Sequence, residues 1–175
     1  MTDIAEAKTE ILAAMQSLQI ALEYLDADEP DETWVVQDEA TTPTGSSGFE
    51  WGQRSLDRMA GIHPDLRRVF DRAIKMVPID VTVLEGMRTY ARQRELVASG
   101  ASQTMNSRHL TGHALDVAPL DSNGQVSWDW PLYYQIEPAI KEAARIEGVS
   151  IEWGGDWASF KDGPHWQLPW DRYPA

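Results

Sequence analysis

The chain has 175 residues, 42% of them hydrophobic and 25% charged, which suits one globular core of ordinary domain size with an appendage. The 15 Lys and Arg against 28 Asp and Glu leave a formal net charge of −13, a field that repels nucleic-acid backbones and anionic membrane surfaces. No apolar run is long enough to cross a bilayer, and the absence of cysteine removes disulfides, thiolate nucleophiles and thiolate-held metals.

The opening Met1-Thr2-Asp3-Ile4 carries acidic residues where a secretory signal has a basic region, so synthesis in the cytoplasm without a signal peptide is expected. Ile4, Ala7, Ile11, Ala14, Leu18, Ala21 and Leu25 recur at alternating three- and four-residue spacing, and residues 1–28 are predicted as a helical extension. Its seam packs on the chain's own domain or supports self-association through residues 4–25, since a short helix needs burial to persist. Residues 29–48 have the acidic, Pro, Gly and Ser content of a solvated tether, interrupted by Trp34, Val35 and Val36.

A compact domain is predicted over 49–175. His63-Pro64 opens a helix with proline in its first turn, and Leu66, Val69, Phe70, Ala73 and Val77 make its buried stripe. Pro78 ends it, and residues 79–83 alternate as a strand. A second helix runs from a Thr89 N-cap to Gly100, and residues 114–118 form another strand. Residues 131–147 read as a helix ending at Gly148. Val149, Ile151 and Trp153 then alternate, and residues 165–168 make a returning strand. Strands that come late and adjacent favour α+β, with a small antiparallel sheet flanked by helices, over a doubly wound fold.

Two segments concentrate metal-capable side chains beside glycines: residues 107–116, Ser-Arg-His-Leu-Thr-Gly-His-Ala-Leu-Asp, and residues 153–166 around Asp162-Gly163-Pro164-His165. A catalytic zinc site uses three protein ligands and one open position, which two histidines and an aspartate satisfy without cysteine. Gly112 supplies a turn between His109 and Asp116, and on the following strand Ala114, Asp116 and Ala118 share a face. A lone histidine is ordinarily structural, and spacing alone does not decide for metal. His109 and His113 stand four apart, yet no Glu follows His109 as H-E-x-x-H requires and Gly112 argues against a helix, so His113 is left out of the ligand set. His63 reads as a capping or packing residue, and Asp162, in an Asp-Gly pair, reads on its own as a turn residue. Trp153, Trp157, Trp166 and Trp170 read mainly as packing, with Trp157 the candidate cleft wall.

Ser107 to Asp116 matches S-x-H-x-x-G-x-A-x-D, and Asp162 to His165 matches D-x-x-H. With residues 62–66 (Ile-His-Pro-Asp-Leu) and 85–89 (Glu-Gly-Met-Arg-Thr), these motifs resemble, from about Phe49 onward, the zinc D-alanyl-D-alanine carboxypeptidase family. They look most like the bacteriophage endolysins of its L-alanyl-D-glutamate endopeptidase branch. The resemblance implies a zinc site on the sheet with His109, Asp116 and His165 as ligands and Asp162 as catalytic acid/base. It further implies Arg88 as a substrate-orienting or oxyanion-stabilising group, against a plain salt bridge as the alternative. Ser107 is expected as a hydrogen-bonding group for substrate or for the site's support, and Trp157 beside it as a substrate contact. The substrate implied is the peptidoglycan stem peptide, reached at the cell wall after membrane permeabilisation. D,D-carboxypeptidase activity and a non-catalytic zinc-fold binding module remain the alternative expectations.

Overall fold

The computed structural model describes residues 47–174 except 101, 103, 159 and 160. The expected N-terminal helix at 4–25 lies outside the described residues, as does the expected tether apart from its last two positions. Ser47 is fastened by its backbone N–H to the Lys75 carbonyl at 2.7 Å and by its hydroxyl to the Ile74 carbonyl at 2.7 Å.

Helices α1 (Gln53–Arg58) and α2 (Pro64–Ala73) precede strand β1 (Val81–Glu85) and helix α3 (Tyr90–Ala98). A 3-10 turn at Arg108–Thr111 leads into β2 (Ala114–Pro119), the long helix α4 (Trp130–Glu147) and β3 (Glu152–Trp153). A second 3-10 turn, Gly154–Asp156, and a loop return the chain to β4 (His165–Gln167). The four strands form one antiparallel sheet in the order β1-β2-β4-β3, the α+β architecture expected from the sequence.

Alternation divides the sheet into an apolar face and a polar one. Leu115, Val117, Trp153 and Trp166 join the core with Leu66, Val69, Phe70 and Ala73 of α2 and Ile136, Ile140 and Ala143 of α4. Trp153 stacks on Trp166 with ring centroids 5.6 Å apart, and Phe70 meets Trp166 edge-on. The opposite face carries Asp116 directly across from His165.

The edge of β1 is covered by α1: the Ser55 hydroxyl accepts from the Val83 N–H at 3.1 Å, and Arg58 Nη1 donates to the Val83 carbonyl at 2.6 Å. This helix, absent from the sequence reading, protects a sheet edge that would otherwise be open to pairing. Between Val83 and Glu85 the register of β1 slips against β2, so that Val83 pairs with Val117 but Glu85 pairs with Asp116. Such an extra residue turns a side chain to the other face. Glu85 thereby joins the row Glu85–Asp116–His165 instead of following Val81 and Val83 into the core.

Candidate active site

His109 sits on the 3-10 turn that Ser107 opens, its Oγ accepting from the His109 N–H at 3.4 Å. Gly112 closes the turn at φ +72, a left-handed conformation that side chains resist, and a Cβ there would also lie 2.4 Å from the Gly61 carbonyl oxygen. The turn is pinned to the end of β4 by Arg108, which is 2% exposed: Nε and Nη2 donate to the Leu168 carbonyl at 3.0 and 2.7 Å. Trp170 lies over that guanidinium at 4.3 Å. Arg108 thus couples the turn bearing His109 to the end of the strand bearing His165.

His109, Asp116 and His165 converge with the spacing of a metal site. His109 Nε2 lies 3.3 Å from His165 Nδ1, and each of these nitrogens lies 3.2 Å from Asp116 Oδ1. The remaining ring nitrogens point away to other partners. His109 Nδ1 is 2.7 Å from the Gly86 carbonyl, and His165 Nε2 is 3.0 Å from Gln167 Oε1. A carbonyl only accepts, so His109 Nδ1 carries a proton and Nε2 is the ring atom turned toward Asp116. The three ligand atoms are thus turned toward one point, as they would be around a shared cation.

Burial raises the cost of charge on Asp116, but the two imidazoles outweigh it and hold its carboxyl well below the usual range. Burial pulls His165 down, and its contacts with Asp116, Gln167 and Asp162 together raise it above the ordinary histidine value. Asp162 is the opposite case: burial first, then the Asp116 charge, push its carboxyl above the ordinary value. Its loop is tied by the Asp162 N–H to the Gly154 carbonyl at 3.1 Å and by the His165 N–H to the Asp162 carbonyl at 3.2 Å. A carboxylate that is partly desolvated beside such a cluster is placed to exchange protons with a group bound there.

Arg88 approaches from the other side. Its backbone N–H donates to the His109 carbonyl at 2.9 Å, Nη1 donates to Gln93 Oε1 at 2.7 Å, and Nη2 pairs with Glu85 and stands 3.8 Å from Asp116 Oδ2. Nε is buried without a hydrogen-bond partner among the described residues. The salt bridge weighed as an alternative role for Arg88 is therefore present, and it orients the guanidinium toward the cluster. Gln93, fully buried, completes this brace by donating to Ser102 Oγ at 2.8 Å and the Thr104 carbonyl at 2.6 Å.

Except for Gln93, which lies behind it, these groups line one cleft of about 540 Å³, together with Ser107, Trp157 and Trp170. Trp157 packs its ring 5.0 Å from that of His165. All seven residues singled out from the sequence, Arg88, Ser107, His109, Asp116, Trp157, Asp162 and His165, reach this cleft. His113 does not: its Nδ1 meets Thr111 Oγ1 at 2.8 Å and its ring lies against His63. His63 caps α2, Nδ1 accepting from the Asp65 N–H at 3.1 Å.

Sequence reasoning passed over Glu85 as the partner of Arg88, and Gln93, Arg108 and Gln167 altogether. Gln167 alone had a readable signal, standing two residues after His165 on a strand and hence on the same face.

Comparison with known proteins places these residues in context. A family model described as phage L-alanyl-D-glutamate peptidase matches residues 47–167. The L-alanyl-D-glutamate peptidase of Escherichia phage T5 is 32% identical over 118 residues, covering 65% of this chain and 85% of the phage protein. The peptidoglycan L-alanyl-D-glutamate endopeptidase CwlK of Bacillus subtilis (strain 168) is 32% identical over 141 residues, covering 68% of this chain and 83% of CwlK. Among solved structures, the Serratia marcescens L-Ala D-Glu endopeptidase ChiX superposes with a TM-score of 0.67 at 50% identity, covering 70% of this chain and 92% of ChiX.

Proposed function

This chain belongs to the phage L-alanyl-D-glutamate peptidase family, and from that premise we propose how its residues carry out the reaction. The chain is a peptidoglycan endopeptidase that hydrolyses the L-alanyl–D-glutamate bond of the stem peptide. In our reading His109 Nε2, Asp116 Oδ1 and His165 Nδ1 hold a zinc ion.

The observation that carries this reading is the triangle of ligand atoms. Tetrahedral bonds of about 2.0–2.1 Å place neighbouring ligand atoms about 3.3–3.4 Å apart. The separations of 3.2, 3.2 and 3.3 Å match that spacing without any side chain having to move far. Two imidazoles and a carboxylate also leave the fourth position open, as a catalytic zinc site does. When bound, zinc lowers the pKa of water toward ~7 and polarises a carbonyl oxygen.

The chain's own groups supply the rest. Asp162, with its raised pKa, takes the proton of the attacking water and passes it to the leaving amine of D-glutamate. Arg88, held in position by Glu85 and Gln93, stabilises the charge that develops on the scissile carbonyl oxygen. Asp116, ionised in its buried setting, offsets the charge of the cation. Trp157 walls the cleft beside His165 and Ser107 offers a polar contact on the rim while capping the turn beneath His109.

Among the described residues no helix is long and apolar enough to cross a membrane. We place the activity at the bacterial cell wall, reached after the membrane has been permeabilised. Incubation with purified peptidoglycan, followed by mass spectrometry of the soluble products, tests the proposal. New N-terminal D-glutamate on released peptides is the expected result, and release of free D-alanine without it would overturn the bond assignment.

A further inference from the structure

We propose that Gln167 is a positioning residue for the metal site, fixing the tautomer of His165 through a relay that ends on Glu152. The inference rests on the metal-site reading above and deepens it. It begins from a difference between the two histidines: His109 turns Nε2 toward Asp116, whereas His165 turns Nδ1. A histidine can offer Nδ1 to a cation only if its proton sits on Nε2, and something must hold it there.

For His109 the Gly86 carbonyl fixes the proton on the opposite nitrogen, Nδ1. For His165 the partner is a carboxamide, which can present either an acceptor or a donor. The orientation of that amide is settled one step further out. Gln167 Nε2 lies 2.6 Å from Glu152 Oε2 and Gln167 Oε1 lies 3.0 Å from His165 Nε2. An ionised carboxylate only accepts, so the amide must turn its NH2 group to Glu152 and its oxygen to His165. With the amide so fixed, His165 Nε2 donates and Nδ1 is left bare toward Asp116. The reversed amide would set its oxygen against the carboxylate, losing the Glu152 hydrogen bond, and would select the other tautomer of His165.

The sheet builds this relay into its register. Gln167 pairs with Glu152 on β3 and with Ala114 on β2, so the amide is flanked by the carboxylate on one side and a methyl group on the other. Gln167 is 8% exposed, which leaves water little room to substitute for either bond. Removal of an outer hydrogen-bond partner from a metal-ligating histidine typically weakens metal binding ~10- to 100-fold.

The test uses the full chain with three variants: Gln167→Leu, Glu152→Gln and the transposed pair Glu152→Gln/Gln167→Glu. Zinc affinity is read by competition with a chromophoric chelator. The His165 tautomer is read in metal-free protein from its ring 15N shifts, and near-UV circular dichroism reports folding. Gln167→Leu is expected to weaken zinc binding ~10- to 100-fold and to give a mixed His165 tautomer. The transposed pair keeps an acceptor facing His165 and restores the donor–acceptor contact with residue 152, so it should recover the Nε2–H tautomer and most of the affinity. A purely structural role for Gln167 predicts no such recovery. A wild-type His165 tautomer and affinity in Gln167→Leu would overturn the inference. Failure of the parent protein to bind zinc would instead sink the metal-site reading, with the tautomer measurement still deciding the role of Gln167.

Discussion

Replacing Gly86 by alanine places one methyl group where the end of α1 leaves no room for it. A Cβ at this position would lie 2.0 Å from the Arg58 carbonyl oxygen, against about 3.4 Å for the near edge of ordinary contact, so the backbone must part by about 1.4 Å. Arg58 cannot easily yield, because it ends α1 and its Nη1 is bonded to the Val83 carbonyl at 2.6 Å. The strain therefore falls on the Gly86 peptide, whose carbonyl orients His109 at 2.7 Å. A shift of that size breaks the hydrogen bond and turns the ring. We expect Gly86→Ala to lose about 1–3 kcal/mol of stability as an overpacked site, ~10- to 100-fold in zinc affinity as a site stripped of an outer partner, and ~100-fold in hydrolysis as a misplaced catalytic group. Urea unfolding of the metal-free protein, chelator competition and peptidoglycan hydrolysis measure the three effects separately. Gly52→Ala, where nothing lies within 4 Å of the added methyl, is the neutral control. Wild-type zinc affinity and hydrolysis in Gly86→Ala would refute the reasoning.

Asp162→Asn keeps the shape of the cleft and removes its base, so kcat should fall ~10²- to 10⁴-fold while one zinc per chain is retained, measured by turnover and elemental analysis. Because burial, the largest cause, raises the Asp162 carboxyl above its ordinary value, and the base works only when ionised, kcat/KM should fall as pH drops through the ionisation of Asp162. A pH–rate profile of the parent checks this, and an acid limb at or below the ordinary carboxylate value would contradict it. Trp166→Ala empties the centre of the core between Trp153 and Phe70 and should cost about 3–5 kcal/mol in denaturant unfolding. Chelation should abolish hydrolysis, and zinc at 100 times its Kd should stabilise the folded chain by about 2.7 kcal/mol, seen as a rise in Tm.

The main elements could be read from the chain because their signals are local. Pro64 at the start of α2, Thr89 capping α3 and Gly148 ending α4 each act within a turn of their own position. The stripe on α2 foretold the core, since Leu66, Val69, Phe70 and Ala73 are all buried. Helix α1 was not legible: it spans Gln53–Arg58, too short for a periodic pattern, and is held by contacts with β1 about 27 residues away. The strand after Val149 shrank to Glu152–Trp153 because only those residues find partners on β4.

At the site, the residues that reach the cleft came from compact motifs, while the groups that orient them are scattered. His109 and Asp116 share a ten-residue segment, but the carbonyl that aims His109 belongs to Gly86, the clamp on its turn runs from Arg108 to Leu168, and Arg88 leans on Gln93. Glu85 faces Asp116 only because of the register slip in β1, which no alternation pattern foretells. Outer partners are chosen by tertiary proximity, so their sequence signal is weak even where their effect on the chemistry is large.

The central claim is that His109, Asp116 and His165 together hold the ion on which hydrolysis depends. Zinc stoichiometry and affinity, measured by equilibrium dialysis with elemental analysis on the full chain and on His165→Ala, test it most directly. One zinc per parent chain and a loss of tight binding in the variant are expected; equal zinc binding by both, or none by the parent, would overturn the assignment.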